Sequence, residues 1–345
     1  MKTTQRAYRF GVHGCQHGHI GIFIDEMLAL GHQFIGIYDD APGAVAEAMQ
    51  AKYGVPLLAA PDRLSEADVI GCASVNSEKI DAIEWCAARG IPVMVDKPAI
   101  TSRESFRRLQ RLIEGENARV GMLLTERYRP SIHALKRKID QGAFGDIVSI
   151  GMRKPHRLTP ERRPEWFFDK ERCGGIIVDL FIHDFDLLRW LTGREIVGVQ
   201  SRLTKRILPE YPEFWDVADA QVELERGVAC QLYADWHTPK SSWTWGDGRI
   251  FVVGTEGTAE LRLEGEPGVS KEDLFITVAG TEGYTHERTE APSSGIVEDF
   301  LTRVFGQSGQ IDGGITHRDI LAASEWTLTA DESASKIKYI CTRNA

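Results

Sequence analysis

Six cysteines in 345 residues, at 15, 72, 86, 173, 230 and 341, show neither the paired spacing of a zinc site nor the density of a disulfide framework. They read as free thiols of a reducing compartment, so a cytoplasmic location is expected. No apolar run approaches the roughly 20 residues that cross a bilayer. The segment from Met1 to Arg9 is polar and lacks the apolar stretch of a secretory signal, so no membrane partner is expected. Positive charge is the scarcer sign: 41 Lys and Arg against 50 Asp and Glu leave a net charge of −9, whereas a nucleic-acid partner would call for a basic face. What is present is the composition of an ordinary globular protein, in a chain longer than one core normally serves. Two domains are expected.

The first third alternates short apolar runs with helical spacing. Residues 9–12, 33–38, 67–74 and 91–95 read as strands; residues 20–30, 44–53 and 79–88 read as helices, with Gly31 and Gly54 as stops. Strands alternating with helices of about ten residues indicate a doubly wound parallel sheet of the Rossmann type. In such a sheet a dinucleotide lies across the carboxyl ends of the strands, with its pyrophosphate at the first helix N-terminus.

The first turn, Gly14-Cys15-Gln16-His17-Gly18-His19, departs from Gly-x-Gly-x-x-Gly. Gly14 is suited to the tight turn and Gly18 to close backbone approach, while Gln16 and His19 stand where further glycines would be. Asp39, at the end of the second strand, is placed to accept hydrogen bonds from a ribose 2′-hydroxyl and to repel a 2′-phosphate. Asp40, Ala41 and Pro42 follow it and offer no cation, so NAD is expected in preference to NADP. The alternating His13, Cys15, His17 and His19 could instead be metal ligands on one side of an extended segment. Zinc sites, however, usually draw ligands from separated segments, and no metal is expected.

Two further motifs carry chemistry. In Gly174 to Asp186, Asp179 and His183 stand four residues apart and share a face if the run is helical. A carboxylate beside an imidazole orients it and raises its basicity, as a general base near neutral pH requires. Structural or metal-ligating roles remain open to the pair, with Asp186 or His156 as further ligands, although Lys97 would oppose a cation. Val93 to Pro98 is an apolar strand ending in Asp96, Lys97 and Pro98. A lysine there puts a cation beside a reacting oxygen; the isomer of the Lys97–Pro98 bond is left open.

Together these features resemble the glucose–fructose oxidoreductase, inositol dehydrogenase and MocA family (Gfo/Idh/MocA) over nearly the whole chain. Asp96-Lys97-Pro98 is similar to the family's Glu-Lys-Pro. Gly174-Gly175, Asp179, His183 and Asp186 are similar to its glycine run, Asp-x-x-x-His and trailing Asp, with Cys173 replacing one glycine. Ser74-Val75-Asn76 keeps the Asn of a Thr-Pro-Asn turn, Arg127 and Pro130 echo the start of the second domain, and residues 254–257 echo a late strand-turn element. The resemblance implies that Lys97, Asp179 and His183 are catalytic. Cofactor-binding groups would be Gly14, Cys15, Gln16, His17, Gly18, His19, Asp39, Ser74, Asn76, Asp96 and Lys97.

From about Thr125 the pattern changes. A helix at 131–141 and strands at 147–153, 199–203, 218–224, 229–236, 249–253, 259–263 and 274–278 read as an α+β domain with a large, mainly antiparallel open sheet. Helices are expected at 296–305 and 315–333, the second returning towards the first domain. The expected division is 1–124, a dinucleotide-binding domain, and 125–345, a domain for substrate and oligomerisation. A substrate pocket is expected between the domains, from Arg127, Tyr128, Lys154, His156, Trp166 and His237; Arg153 is a further candidate. The expected function is hydride transfer between NAD and a sugar, cyclitol or polyol, in a homo-oligomer, dimer or tetramer. The alternatives are redox-assisted glycoside cleavage or epimerisation with tightly bound NAD, and a non-enzymatic NAD-binding sensor.

Overall fold

The computed structural model describes residues 6–116, 118–281, 283–306 and 313–339. They form two compact units: one holds the chain up to Leu124 with Glu171–Cys173 and Ser293–Ser324, the other Thr125–Lys170, Gly174–Pro292 and the chain from Glu325.

In the first unit the elements run β1 (Arg9–Cys15), α1 (Ile20–Ala29), β2 (Gln33–Tyr38), α2 (Ala44–Tyr53), β3 (Leu57–Leu58), β4 (Val69–Ala73), α3 (Lys79–Ala87), β5 (Val93–Val95), α4 (Arg103–Glu114) and β6 (Val120–Met122). The strands pair in parallel in the order β3-β2-β1-β4-β5-β6, the doubly wound sheet expected. Every residue of β4 and β5 is buried, as strands covered on both faces must be. α1 lays Ile20, Phe23, Ile24 and Met27 on the sheet, the three-and-four spacing of an amphipathic helix. The sequence reading passed over β3, α4 and β6. α4 is nonetheless well marked, because Ser102 and Ser105 form a reciprocal capping box at its start.

The second unit carries α5 (Pro130–Asp140), β7 (Ile147–Pro155), a short turn of helix α6 (Lys170–Cys173), α7 (Gly175–Thr192), β8 (Ile196–Lys205), β9 (Val217–Leu224), β10 (Val228–Asp235), β11 (Arg249–Gly254), β12 (Gly257–Arg262), β13 (Leu274–Ala279) and β14 (Thr285–His286). Beyond it come α8 (Ile296–Phe305), in the first unit, then α9 (His317–Ser333) and β15 (Ser335–Lys338). The sheet order is β14-β13-β12-β11-β7-β10-β9-β8-β15. Pairing is antiparallel except for β7 with β10 and β8 with β15. α7 packs on β10, β7 and β9. Alternation along the strands follows: Ile250 and Val252 of β11 are buried, while Phe251 and Val253 between and after them are exposed.

α7 is apolar around almost its whole circumference, which marks a core helix. It starts after Gly174 (φ 94°) and Gly175 (φ 79°), two left-handed residues in a row. The Lys170 ammonium donates to the Gly174 carbonyl oxygen, and a Cβ on Gly175 would come within 2.9 Å of that ammonium. The glycine pair is therefore a backbone requirement of the helix start. No described helix is long and apolar enough to cross a membrane. Cys15, Cys72, Cys86, Cys173 and Cys230 are buried free thiols, and Cys341 lies outside the described residues.

Candidate active site

In the first unit the candidate residues gather at the carboxyl ends of the parallel strands. Gly14 has φ 74°, and a Cβ there would lie 1.8 Å from Ser74 Oγ, so only glycine lets β1 end against the turn after β4. Gly18 is open: nothing lies within 4 Å of the position a Cβ would take. The N-terminus of α1 has no side-chain cap, which leaves its partial positive charge to a ligand. Asp39, immediately after β2, is buried and turned back on the first turn. Its carboxylate accepts from Cys15 N (2.6 Å), Gln16 Nε2 (2.8 Å) and Ala41 N (3.0 Å). Gln16 Nε2 also donates to the Ala41 carbonyl (2.9 Å), so it spans the mouth of the turn.

The four alternating residues 13, 15, 17 and 19 do not share one side. His13 packs against Tyr38 and Trp85, with ring centroids 5.2 and 5.5 Å away. Cys15 is fully buried, and burial pushes its thiol up to about 12. His17 and His19 instead converge on Asp96, with Nδ1 atoms 2.8 and 3.3 Å from its two carboxylate oxygens. These are imidazole–carboxylate contacts, ion pairs only when the imidazole is protonated. The three ligand atoms lie within 4.8 Å of one another, a grouping that could hold a metal ion.

Asp96 already has a cation. Lys79 Nζ lies 3.8 Å from its Oδ2, and both side chains are inaccessible to solvent. Burial alone would raise the Asp96 carboxyl, but Lys79 and His17 outweigh it and hold it well below the usual carboxylate range. His17 keeps 26% of its side chain exposed, yet the dense protein around its ring lowers its basicity more than Asp96 restores it. The Lys79 ammonium also donates to Asn76 Oδ1 (2.9 Å) and to the carbonyls of Asp96 (2.9 Å), Lys97 (3.3 Å) and Pro98 (3.2 Å). It thus clamps the segment that presents Lys97, itself buried, with a cis bond to Pro98. Asn76 Nδ2 donates to the Cys173 carbonyl at 2.9 Å.

Sequence reasoning took Lys79 only as the start of a helix. A signal was available: a cation at a helix N-terminus opposes the helix dipole and needs compensation from elsewhere.

In the second unit α7 runs unbroken through Asp179 and His183, so the two lie one turn apart on one face. His183 is buried and Asp179 half-buried. Other charged residues of α7 are buried and each has its counter-charge, as burial demands. Lys154 Nζ lies 2.9 Å from Asp184. Arg127 grips both carboxylate oxygens of Asp186, donating from Nε (2.7 Å) and Nη2. Arg189 Nε donates to Glu195 at 2.6 Å. Two residues expected to bind substrate, Arg127 and Lys154, therefore spend their charge on α7. Burial opposes the charge of Lys154, but Asp184 outweighs it and raises the ammonium's pKa.

Of the remaining candidates, Tyr128 is half-buried in the turn Thr125–Tyr128. His156 Nδ1 lies 3.1 Å from the Lys154 carbonyl, and its ring meets Trp236 edge-on. Trp166 is buried, its indole nitrogen without a hydrogen-bond partner among the described residues. His237 Nε2 sits 2.6 Å from Asp216, which is fully buried and also takes the main-chain nitrogens of Arg206 (2.7 Å) and Ile207 (3.3 Å). The hydrogen bond with Asp216 raises the imidazole pKa of His237.

Residues 132–260 match the family model of the GFO/IDH/MocA C-terminal domain. Inositol 2-dehydrogenase of Rhizobium meliloti (strain 1021) is 28% identical over 220 residues, 63% of this chain and 64% of that one. The scyllo-inositol 2-dehydrogenase (NAD(+)) of Bacillus subtilis (strain 168) is 30% identical over 198 residues, 55% of this chain and 54% of that one. The matches thus span less than two thirds of these curated relatives. A crystal structure from Erwinia carotovora atroseptica SCRI1043 superposes with a TM-score of 0.86 at 25% identity, covering 95% of this chain and 99% of that one. A parallel sheet of dinucleotide-binding type in one unit and a large mixed sheet in the other define the class of two-unit α/β proteins with a nucleotide fold. Within that class the chain is similar to Gfo/Idh/MocA proteins, through the domain match at residues 132–260 and the likeness of its fold.

Proposed function

We propose that the protein is an NAD-dependent oxidoreductase that transfers hydride between a C–OH carbon of a sugar, cyclitol or polyol and the nicotinamide ring. Relatives that carry inositol dehydrogenase names support the substrate class. The observation that carries the reading is the clamped Asp96-Lys97-Pro98 segment in a chain that also buries His183 one helical turn from Asp179.

The residues of the first turn fit a dinucleotide: an uncapped α1 N-terminus, an open Gly18 and a carboxylate closing β2. Gly14, Cys15, Gln16, His17, Gly18 and His19 would hold the pyrophosphate end, Asp39 the adenosine ribose, and Ser74, Asn76, Asp96 and Lys97 the nicotinamide end. A bound nicotinamide cofactor supplies the hydride acceptor. His183 would take the hydroxyl proton as the carbon gives up its hydrogen as hydride, so that C–OH becomes C=O; in reverse it would return the proton. Asp179 orients the imidazole or holds a neighbouring hydroxyl. The Lys97 ammonium steadies the negative charge that develops on the reacting oxygen. Asp39, with no cation at 40, 41 or 42, favours NAD over NADP.

A panel of sugars and polyols assayed by NADH absorbance tests the reading. Substrate-dependent NADH formation supports it. Turnover without added cofactor would instead indicate redox-assisted cleavage or epimerisation, and cofactor binding without turnover a sensor. The exposed Phe251 and Val253, on one face of β11, support a homo-oligomer joined through the second sheet, which light scattering would test.

A further inference from the structure

β6 closes one end of the parallel sheet, so one side of its backbone has no strand to pair with. Its inner side is spent on β5: Val93 N donates to the Arg119 carbonyl (2.9 Å) and Leu123 N to the Val95 carbonyl (2.8 Å). Val95 immediately precedes Asp96-Lys97-Pro98, so β6 backs the strand that presents that segment. The outward groups of Val120 are taken by side chains. Arg303 Nη2, from α8, donates to the Val120 carbonyl (3.1 Å), and Val120 N donates to His317 Nε2, at the start of α9 (3.2 Å). Two side chains stand in for the missing strand.

Both helices are seated for this. Phe300 of α8 packs so closely on β6 that a Cβ on Gly121 would lie 2.7 Å from its ring. Glu26 of α1 accepts from Val297 N (2.9 Å) and Glu298 N (3.0 Å), which fixes the N-terminus of α8. Asp299 accepts from Gly313 N (3.1 Å) and Gly314 N (3.4 Å), which ties the approach to α9 onto α8. Thr316 and Asp319 then cap α9 reciprocally: Thr316 N donates to Asp319 Oδ2 (2.9 Å) and Asp319 N to Thr316 Oγ1 (3.3 Å). His317 is thereby held in the first turn of its helix.

What His317 does there depends on its proton. To accept from Val120 N, Nε2 must keep its lone pair, so the ring is neutral with its hydrogen on Nδ1. Protonation would set two N–H groups against each other and place a cation at a helix N-terminus, where the dipole opposes it. Of the charged groups on the surrounding elements, α8 brings Arg303 and Asp299, Arg119 precedes β6, and α9 itself carries Arg318 and Asp319. Asp299 and Asp319 are engaged as described, and Arg119 donates to the carbonyls of Gly90 and Val304. Burial and the Arg303 guanidinium together lower the basicity of the ring.

We propose that His317 and Arg303 form an acid-released clasp that holds α8 and the start of α9 on the free edge of β6. A neutral ring keeps the clasp shut. Its contribution is complete above the ordinary imidazole value of about 6.5 and is lost as pH falls through the lowered value of the closed form. Release would bare the edge of β6 and slacken the strand behind the Asp96-Lys97-Pro98 segment.

Hydrogen exchange of the full chain, read by mass spectrometry between about pH 7.5 and 5.5, tests it. Protection of residues 118–124 is taken relative to β4, which cancels the intrinsic pH dependence of exchange. That ratio should fall about tenfold across the range, because one proton taken up on opening weakens the closed form up to tenfold for each pH unit below about 6.5. His317→Gln supplies a side-chain carbonyl that accepts from Val120 N at any pH, so the fall should vanish. Arg303→Gln keeps a donor for the Val120 carbonyl but removes the charge; the closed form then tolerates the proton better, and the fall should shrink. A ratio in the parent that is flat with pH, or a fall of equal size in His317→Gln, overturns the proposal. Should His317→Gln prove unfolded by circular dichroism, Arg303→Gln decides, and a fall unchanged or enlarged in that variant overturns the clasp. NADH formation enters none of these readouts, so the dehydrogenase reading stands or falls separately.

Discussion

The ammonium of Lys79 donates to the main-chain oxygen of Asp96 at 2.9 Å, inside a region where neither side chain meets solvent. One buried cation thereby both neutralises the Asp96 carboxylate and fixes the carbonyls on either side of Lys97. Replacing Lys79 with Met strands the buried carboxylate and frees three carbonyls. The expected loss of stability is about 3–5 kcal/mol, the cost of leaving a buried charge uncompensated. Urea denaturation followed by tryptophan fluorescence measures it, and a change below about 1 kcal/mol would contradict the clamp.

His183 is expected to move the proton. His183→Ala should lower turnover by about 10²- to 10⁴-fold, the usual contribution of a positioned acid–base group. NADH binding, followed by fluorescence, should stay within experimental error of the parent. Unchanged turnover would remove His183 as the base.

Asp39 is expected to set cofactor choice. Asp39→Ser combined with Asp40→Arg should shift the kcat/KM ratio towards NADP by about tenfold or more, the worth of one charge-assisted hydrogen bond. Circular dichroism should accompany the kinetics, because Asp39 also accepts from Cys15 N. No shift in a folded variant would count against the ribose assignment.

The His237–Asp216 pair should make stability depend on pH. A raised folded pKa means that the imidazolium is favoured in the native state. Its contribution is complete below the ordinary imidazole value of about 6.5 and declines as pH rises through the raised folded value. The Tm difference between the parent and His237→Gln should therefore shrink from pH 6 to pH 9. A difference that is flat or grows with pH would contradict the pair.

Turnover should survive dialysis against EDTA. His17, His19 and Asp96 are close enough to hold an ion, but Lys79 already supplies Asp96 with positive charge at 3.8 Å. Activity lost on chelation and restored by zinc would turn these three residues into a functional ligand set.

The local rules of the chain reach a long way. Strand–helix alternation with a β-branched, buried β4 was enough for the parallel sheet, because each βαβ unit carries its own periodicity. Gly14 and the Gly174-Gly175 pair were readable because backbone geometry is a property of the residue itself. The helical spacing of Asp179 and His183 was readable for the same reason. Strand pairs of two or three residues, such as β3 and β6, escaped because so short a run carries no period.

Charge pairing was another matter. The sequence by itself determined which residues carry charge, and their types made Arg127, Lys154 and His237 reasonable ligands for a sugar. Only the tertiary structure decided that Arg127 meets Asp186, 59 residues away, and that His237 meets Asp216, 21 residues away. It likewise separated His13 and Cys15 from His17 and His19, and gave Asp96 to Lys79. A buried charge takes whichever counter-charge the packed elements bring within a few ångströms, and that choice is made by topology rather than by spacing along the chain.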